Sequence, residues 1–154
     1  MEALRLTTTW PVDNVAAAVV ATDGSVATTG DQHLRFRIAS LAKPITTWAC
    51  LIAAEEGIVG LDQPVGQPGC TLRHLLAHAG GYAFDGDAPI SLPERTRIYS
   101  NTGIEMAADL VAHAAGMPFA DYLREAVIMP LGMSRTELKG SPAHRMWSCA
   151  ADLI

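Results

Sequence analysis

The 154-residue sequence lacks the features that would commit it to nucleic acid, to a membrane or to a disulfide framework. Lysine and arginine total 11 against 16 acidic residues, giving a net charge of -5, and no basic run occurs, so a surface built for a phosphate backbone is excluded. The three cysteines, Cys50, Cys70 and Cys149, match neither a CxxC clamp nor a paired framework. They read as small buried apolar residues in a reducing compartment. The longest apolar stretch, residues 44–60, contains Thr46, Thr47, Glu55 and Glu56 and falls short of a bilayer span, so no membrane partner is expected. Residues 1–13 carry no apolar leader core, because Trp10-Pro11 and Asp13-Asn14 interrupt it, and a cytoplasmic location is the expectation.

What is present is a chain able to fold. Hydrophobic residues make up 49% and charged residues 18%, enough apolar surface for one domain. Residues 15–21 are rich in Val and Ala, Asp23-Gly24 is a hairpin turn signal, and residues 25–29 return. Residues 34–38 alternate Leu34, Phe36 and Ile38 with Arg35 and Arg37, predicting a third strand that ends at Ala39-Ser40. From there the period becomes helical, with Ile45, Trp48, Leu51 and Ile52 in phase and Gly57 at the C-cap. Further helices are predicted over residues 71–77, from Thr102 with Glu105 in a capping box to Gly116, and over 119–127, ended by Pro130. Residues 82–98, with Gly86, Pro89 and Pro93, read as an irregular loop long enough to carry function. Nothing after Ile38 reads as a comparable strand, and residues 150–154 read as the opening of a helix. The plan is an α/β (α+β) fold: a partial antiparallel sheet over residues 1–38, then a mostly helical lobe over 39–154.

Two motifs carry chemistry. Ser40-Leu41-Ala42-Lys43 is an S-x-x-K at a predicted helix start, where the i and i+3 side chains share a face and Lys43 can reach the Ser40 hydroxyl. The free N–H groups and positive dipole end of that helix favour an oxyanion forming on a substrate carbonyl. The second motif, Tyr99-Ser100-Asn101, stands just before a predicted helix. A tyrosine beside an ammonium has its phenolate stabilised, so Tyr99 can accept the proton of Ser40. Asn101, donor and acceptor in one group, can hold a substrate amide and Lys43 together.

These two motifs, with Leu61-Asp62-Gln63-Pro64-Val65, His74-Leu75-Leu76-Ala77-His78-Ala79-Gly80-Gly81 and Pro130-Leu131-Gly132-Met133 in the same order, resemble the serine β-lactamase and penicillin-binding-protein family. The class C-like branch, with its D,D-peptidases and related esterases, is the most similar. The resemblance implies a serine hydrolase that forms an acyl-enzyme on a β-lactam, a D-amino acid peptide or an ester. It assigns catalytic roles to Ser40, Lys43 and Tyr99 and substrate binding to Asn101, with no cofactor and no metal. That family's third motif, Lys-Thr-Gly or His-x-Gly on a later strand, is absent here. Residues 1–154 are therefore expected to be one incomplete β-lactamase-like domain without its C-terminal strands, with a small-molecule substrate and with self-association or pairing with the C-terminal segment at its bare edge. A non-catalytic binding module on the same fold is the alternative.

Other residue sets read more plainly. His74 and His78 are i and i+4, but Leu75 stands where the glutamate of HExxH would be, so packing and hydrogen bonding are favoured over zinc. Met106, Met117, Met129 and Met133 read as core fillers, and Asp85 and Asp87 as a solvated turn in preference to a pair flanking a substrate.

Overall fold

The computed structural model describes residues 2–154; Met1, the first residue of the expected domain, lies outside them. A short helix α1, Glu2–Arg5, precedes the hairpin of β1, Ala16–Val20, and β2, Val26–Gly30. The hairpin is antiparallel, with Val20 opposite Val26 and Ala16 opposite Gly30. Its tight turn follows from Asp23, whose Oδ1 accepts from the Ser25 N–H at 2.9 Å, and from Gly24 at φ +82°.

The third expected strand is present but differs in length and partner. It is reduced to β3, Phe36–Arg37, and does not pair with the hairpin. Two later strands that the sequence pattern does not reveal, β4, Glu137–Leu138, and β5, Met146–Ser148, join it in a sheet of order β3-β5-β4. Runs of two and three residues are too short to show a period of two. The segment expected to open a helix forms only a 3-10 turn over Ala150–Asp152. There Asp152 Oδ2 accepts from the Arg135 N–H and the Thr136 hydroxyl, at 2.8 and 2.7 Å. The fold is α+β, with short antiparallel sheets and a helical lobe.

The helical lobe comprises α2, Ala42–Glu55; α3, Leu72–Leu76; α4, Asn101–Ala115; and α5, Phe119–Leu123, which runs into a π-turn over Arg124–Ile128. The buried side of α2 is made of Ala42, Ile45, Ala49, Cys50 and Ala53, and α4 contributes Ile104, Ala107, Ala108 and Val111. Small residues at helical spacing on both helices allow close approach, and Leu72, Leu75, Leu123 and Val127 fill the space around them. Each such fully buried aliphatic side chain contributes about 1.5–3 kcal/mol of transfer free energy. Burial also pushes the Cys50 thiol up to about 12, as suits an inert core residue.

Trp48 and Leu51, two members of the stripe that marks α2 in the sequence, are 49% and 41% exposed, as is Leu41 at 59%. The helix is apolar on two sides, and Leu41 and Trp48 line an open groove of about 660 Å³ with Leu131, Met133 and Ile154. The cap of α4 also differs from expectation: Ser100, not Thr102, is the N-cap, its hydroxyl accepting from Gly103 N–H at 3.0 Å. Glu105 is thereby released from a capping role.

The loop over residues 82–98 is irregular, as expected, and is tied down at its start by Gly81. The Gly81 carbonyl accepts from Ile90 and Ser91 N–H at 2.8 and 3.2 Å. Gly81 has φ +80°, and a Cβ there would lie 2.1 Å from the Ser91 carbonyl oxygen, whereas Gly132, at φ +65°, faces open space. Gly132→Ala is expected to cost only the backbone term of about 1–2 kcal/mol, and Gly81→Ala distinctly more. Urea denaturation of the two variants checks this; equal midpoints would contradict the close packing at Gly81.

Candidate active site

Ser40 sits in a single 3-10 turn, Ala39–Leu41, which connects β3 to α2. Ala39 is in the left-handed region at φ 47°, so the chain reverses sharply just before the serine. Ser40 lies in the first helical turn, where N–H groups have no intrahelical acceptor. One turn on, Lys43 is 4% exposed, and its Nζ donates to Ser40 Oγ at 3.1 Å and to the Ala143 carbonyl at 3.1 Å.

Tyr99 arrives from the loop before α4. Its ring lies under Lys43, with Nζ 4.6 Å from the centroid, and stacks with Phe84 at 6.1 Å. The structure thus brings Ser40, Lys43 and Tyr99 together around one cavity of about 290 Å³, which Thr47, His78 and Ile104 also line. Tyr99 remains 46% exposed, so a ligand in that cavity can reach it. Its phenol makes no short hydrogen bond among the described residues. The Ser40 hydroxyl first, and then Lys43, nevertheless pull it below the usual tyrosine value, while partial burial opposes them.

Asn101 is placed differently from expectation. It is 3% exposed, and its Nδ2 donates to Asp85 Oδ1 at 2.9 Å, with no hydrogen bond to Lys43. Its Oδ1 has no partner. The reason is the stitching of Ser100-Asn101-Thr102 to the loop: Ser100 Oγ donates to the Ala83 carbonyl at 2.6 Å, Asn101 N–H to Phe84 at 2.8 Å, and Thr102 Oγ1 to Gly86 at 3.2 Å. These bonds hold the amide toward Asp85, and the Ala143 carbonyl takes the place at Lys43. Asp85 is therefore engaged with Asn101 instead of forming a purely solvated turn.

The Ala143 carbonyl, Thr46, Glu105 and Ser141 were not legible as site residues. Ser141 donates to Glu105 Oε1 and accepts from Ala143 N–H, while Thr46 Oγ1 donates to the Pro142 carbonyl at 2.7 Å. Together they fix the 141–143 loop that presents its carbonyl to Lys43. A backbone carbonyl has no sequence signature, and the i,i+3 spacing of Thr102 and Glu105 is the same as that of a capping box.

The two histidines do not converge on one point. His74 completes a capping box with Thr71 and meets Glu94 at 2.8 Å through Nε2, whereas His78 packs against Tyr99. No cluster of metal-ligating side chains occurs among the described residues. Among those same residues, no helix is long and apolar enough to cross a membrane.

Removing the Lys43 ammonium should release Tyr99 toward its ordinary value of about 10. The check is a titration of ¹³Cζ-tyrosine resonances in the wild-type protein and in Lys43→Met, with Tyr99→Phe to assign the signal. An unshifted Tyr99 midpoint would contradict electrostatic coupling of the two groups.

The chain is 44% identical to a β-lactamase from Mycobacterium bovis of known structure, with a TM-score of 0.94 over 98% of this chain and 57% of that one. A D-alanine carboxypeptidase from Burkholderia cenocepacia shares the fold at 23% identity and a TM-score of 0.83, over 97% of this chain and 59% of its own. Penicillin-binding protein 4* of Bacillus subtilis (strain 168) is 30% identical over 67% of this chain and 30% of its own length. The chain thus spans between about a third and three-fifths of these relatives. The β-lactamase family pattern matches residues 12–151, so the chain belongs to the β-lactamase family.

Proposed function

We propose that this chain carries the nucleophile half of a serine hydrolase that works through an acyl-enzyme. The observation that supports it most is the Ser40 Oγ to Lys43 Nζ contact of 3.1 Å, made beside the Tyr99 phenol at an open cavity. Ser40 Oγ attacks the substrate carbonyl and its proton passes to the Tyr99 and Lys43 pair. When the carbonyl's bond to its leaving group breaks, that proton goes to the departing atom. Water then attacks the ester carbonyl and gives a proton to the same pair, which passes it to Ser40 Oγ as the bond from that oxygen to the acyl carbon breaks and the acid leaves. The Ser40 N–H, at the positive end of α2, faces the developing oxyanion. Asn101 belongs to the substrate side in this reading, with its unpartnered Oδ1 available to a donor once the Asp85 loop shifts. The substrate class is an activated or strained acyl donor: a β-lactam, a D-amino acid peptide or an ester.

Residues 1–154 constitute one incomplete domain. The bare sheet edge is where C-terminal strands would pair or isolated chains would self-associate, and the exposed Leu41, Trp48 and Leu51 add apolar surface that favours such association. Three buried thiols outside any disulfide suit a cytoplasmic setting.

A fluorophosphonate or fluorescent penicillin should give a single adduct by intact-mass spectrometry, lost in Ser40→Ala. An adduct that survives the substitution would end the assignment of Ser40, and failure of every probe to react would favour a non-catalytic binding module.

The 154-residue chain alone is expected not to turn substrate over at the rate of an intact relative. One missing oxyanion donor costs on the order of 100- to 1000-fold in rate. Hydrolysis of a chromogenic ester or cephalosporin by this chain, compared with a full-length relative, reads the difference; equal rates would refute incompleteness.

A further inference from the structure

We infer that His78 is a positioning residue for Tyr99, a neutral imidazole that clamps the tyrosine's backbone on both sides and packs against its ring. The inference rests on the acyl-transfer reading above, because it gives Tyr99's placement its purpose. Three contacts carry it. The His78 carbonyl accepts from Ile98 N–H at 2.8 Å, and His78 Nδ1 accepts from Ser100 N–H at 3.2 Å, so the residues before and after Tyr99 hang from one histidine. Between these two bonds the imidazole lies 4.7 Å from the Tyr99 ring, centroid to centroid, tilted by 46°. His78 is 9% exposed and lines the cavity shared with Ser40 and Lys43.

The backbone supports the same assignment. His78 lies just past α3 at φ 59°, a left-handed conformation that L-residues other than Asn, Asp and His rarely take. That strain turns the carbonyl and the ring to the same stretch of chain. Because Nδ1 accepts an N–H, it must hold a lone pair, which leaves the proton on Nε2. The groups facing the ring are Tyr99 and the cations Arg97 and Lys43; burial first, then those two cations, keep the imidazole below its usual value. Protonation would turn Nδ1 into a donor facing the Ser100 N–H and add a cation beside Lys43. The site is thereby biased to the state in which the clamp is made.

The test uses the full chain with two substitutions of opposite content. His78→Asn tolerates the left-handed backbone and offers a carbonyl oxygen to Ser100 but has no ring. His78→Phe keeps a ring and has no acceptor. Labelling of Ser40 by the fluorophosphonate should slow by about tenfold or more in His78→Phe and by much less in His78→Asn, with the Tyr99 titration moving in the same order. Imidazole ¹⁵N shifts of the wild-type protein should report the Nε2–H tautomer at neutral pH, a readout that stands even if His78→Phe fails to fold. An Nδ1–H tautomer, or a Tyr99 titration unmoved in both variants, would overturn the inference. Absence of any labelling in the wild-type protein would instead count against the acyl-transfer reading, while the tautomer and titration still judge His78.

Discussion

The buried Lys43 amine is the constraint on which the rest of this structure depends. A cationic side chain at 4% exposure is tolerable only if its donors find acceptors, since an unpaired buried charge costs several kcal/mol. Among the described residues no carboxylate is supplied. Lys43 is held instead by one hydroxyl, one backbone carbonyl and the face of one aromatic ring. A carboxylate would neutralise the ammonium locally and hold its proton tightly. Neutral partners leave its field directed at Ser40 and Tyr99, the two groups it touches.

That requirement propagates outward through hydrogen bonds that would otherwise look incidental. The Ala143 carbonyl must be rigid to serve as an acceptor, and Glu105, Ser141 and Thr46 make it so from two helices and a loop. On the other side Tyr99 must stay beneath Nζ, and Ala83, Phe84 and His78 hold the chain that carries it. The long loop over residues 82–98 is thus structural support for the site as well as its rim. Its anchor at Gly81, where a Cβ would collide with Ser91, shows how little slack that support has.

The parts of this arrangement that were legible in the sequence are those encoded by short spacing. Ser40 and Lys43 are one helical turn apart, Tyr99 and Asn101 flank a helix start, and Asp23-Gly24 makes a hairpin; each is a local rule. The hairpin, the helices α2 to α5 and the irregular loop follow from period and punctuation. What could not be read depends on partners far along the chain. Strand β3 pairs with β5 across more than 100 residues, and its partners are too short to show alternation. That Asn101 makes no hydrogen bond to Lys43 depends on Asp85, sixteen residues earlier, which takes its amide. The apolar period of α2 was correctly seen, but it does not distinguish a stripe that is buried from one that stands exposed, and Trp48 and Leu51 prove to be of the second kind.

Strain marks the same site from a different direction. Among the described residues, three other than glycine have positive φ: Ala39, His78 and Glu94. Ala39 precedes Ser40, His78 packs on Tyr99, and Glu94 meets His74 while its N–H donates to the Ala79 carbonyl at 2.9 Å. Each such conformation costs about 1–2 kcal/mol unless surrounding contacts impose it. Alanine has no polar side chain to compensate locally, so at Ala39 the turn must be imposed by β3 on one side and by the buried start of α2 on the other. Moving Ser40 by one position would leave the reversal in place but send the hydroxyl away from Lys43. The strained turn and the buried lysine therefore specify one another: the turn delivers the serine to the first helical turn, and the lysine's need for acceptors fixes which face of that turn it must occupy.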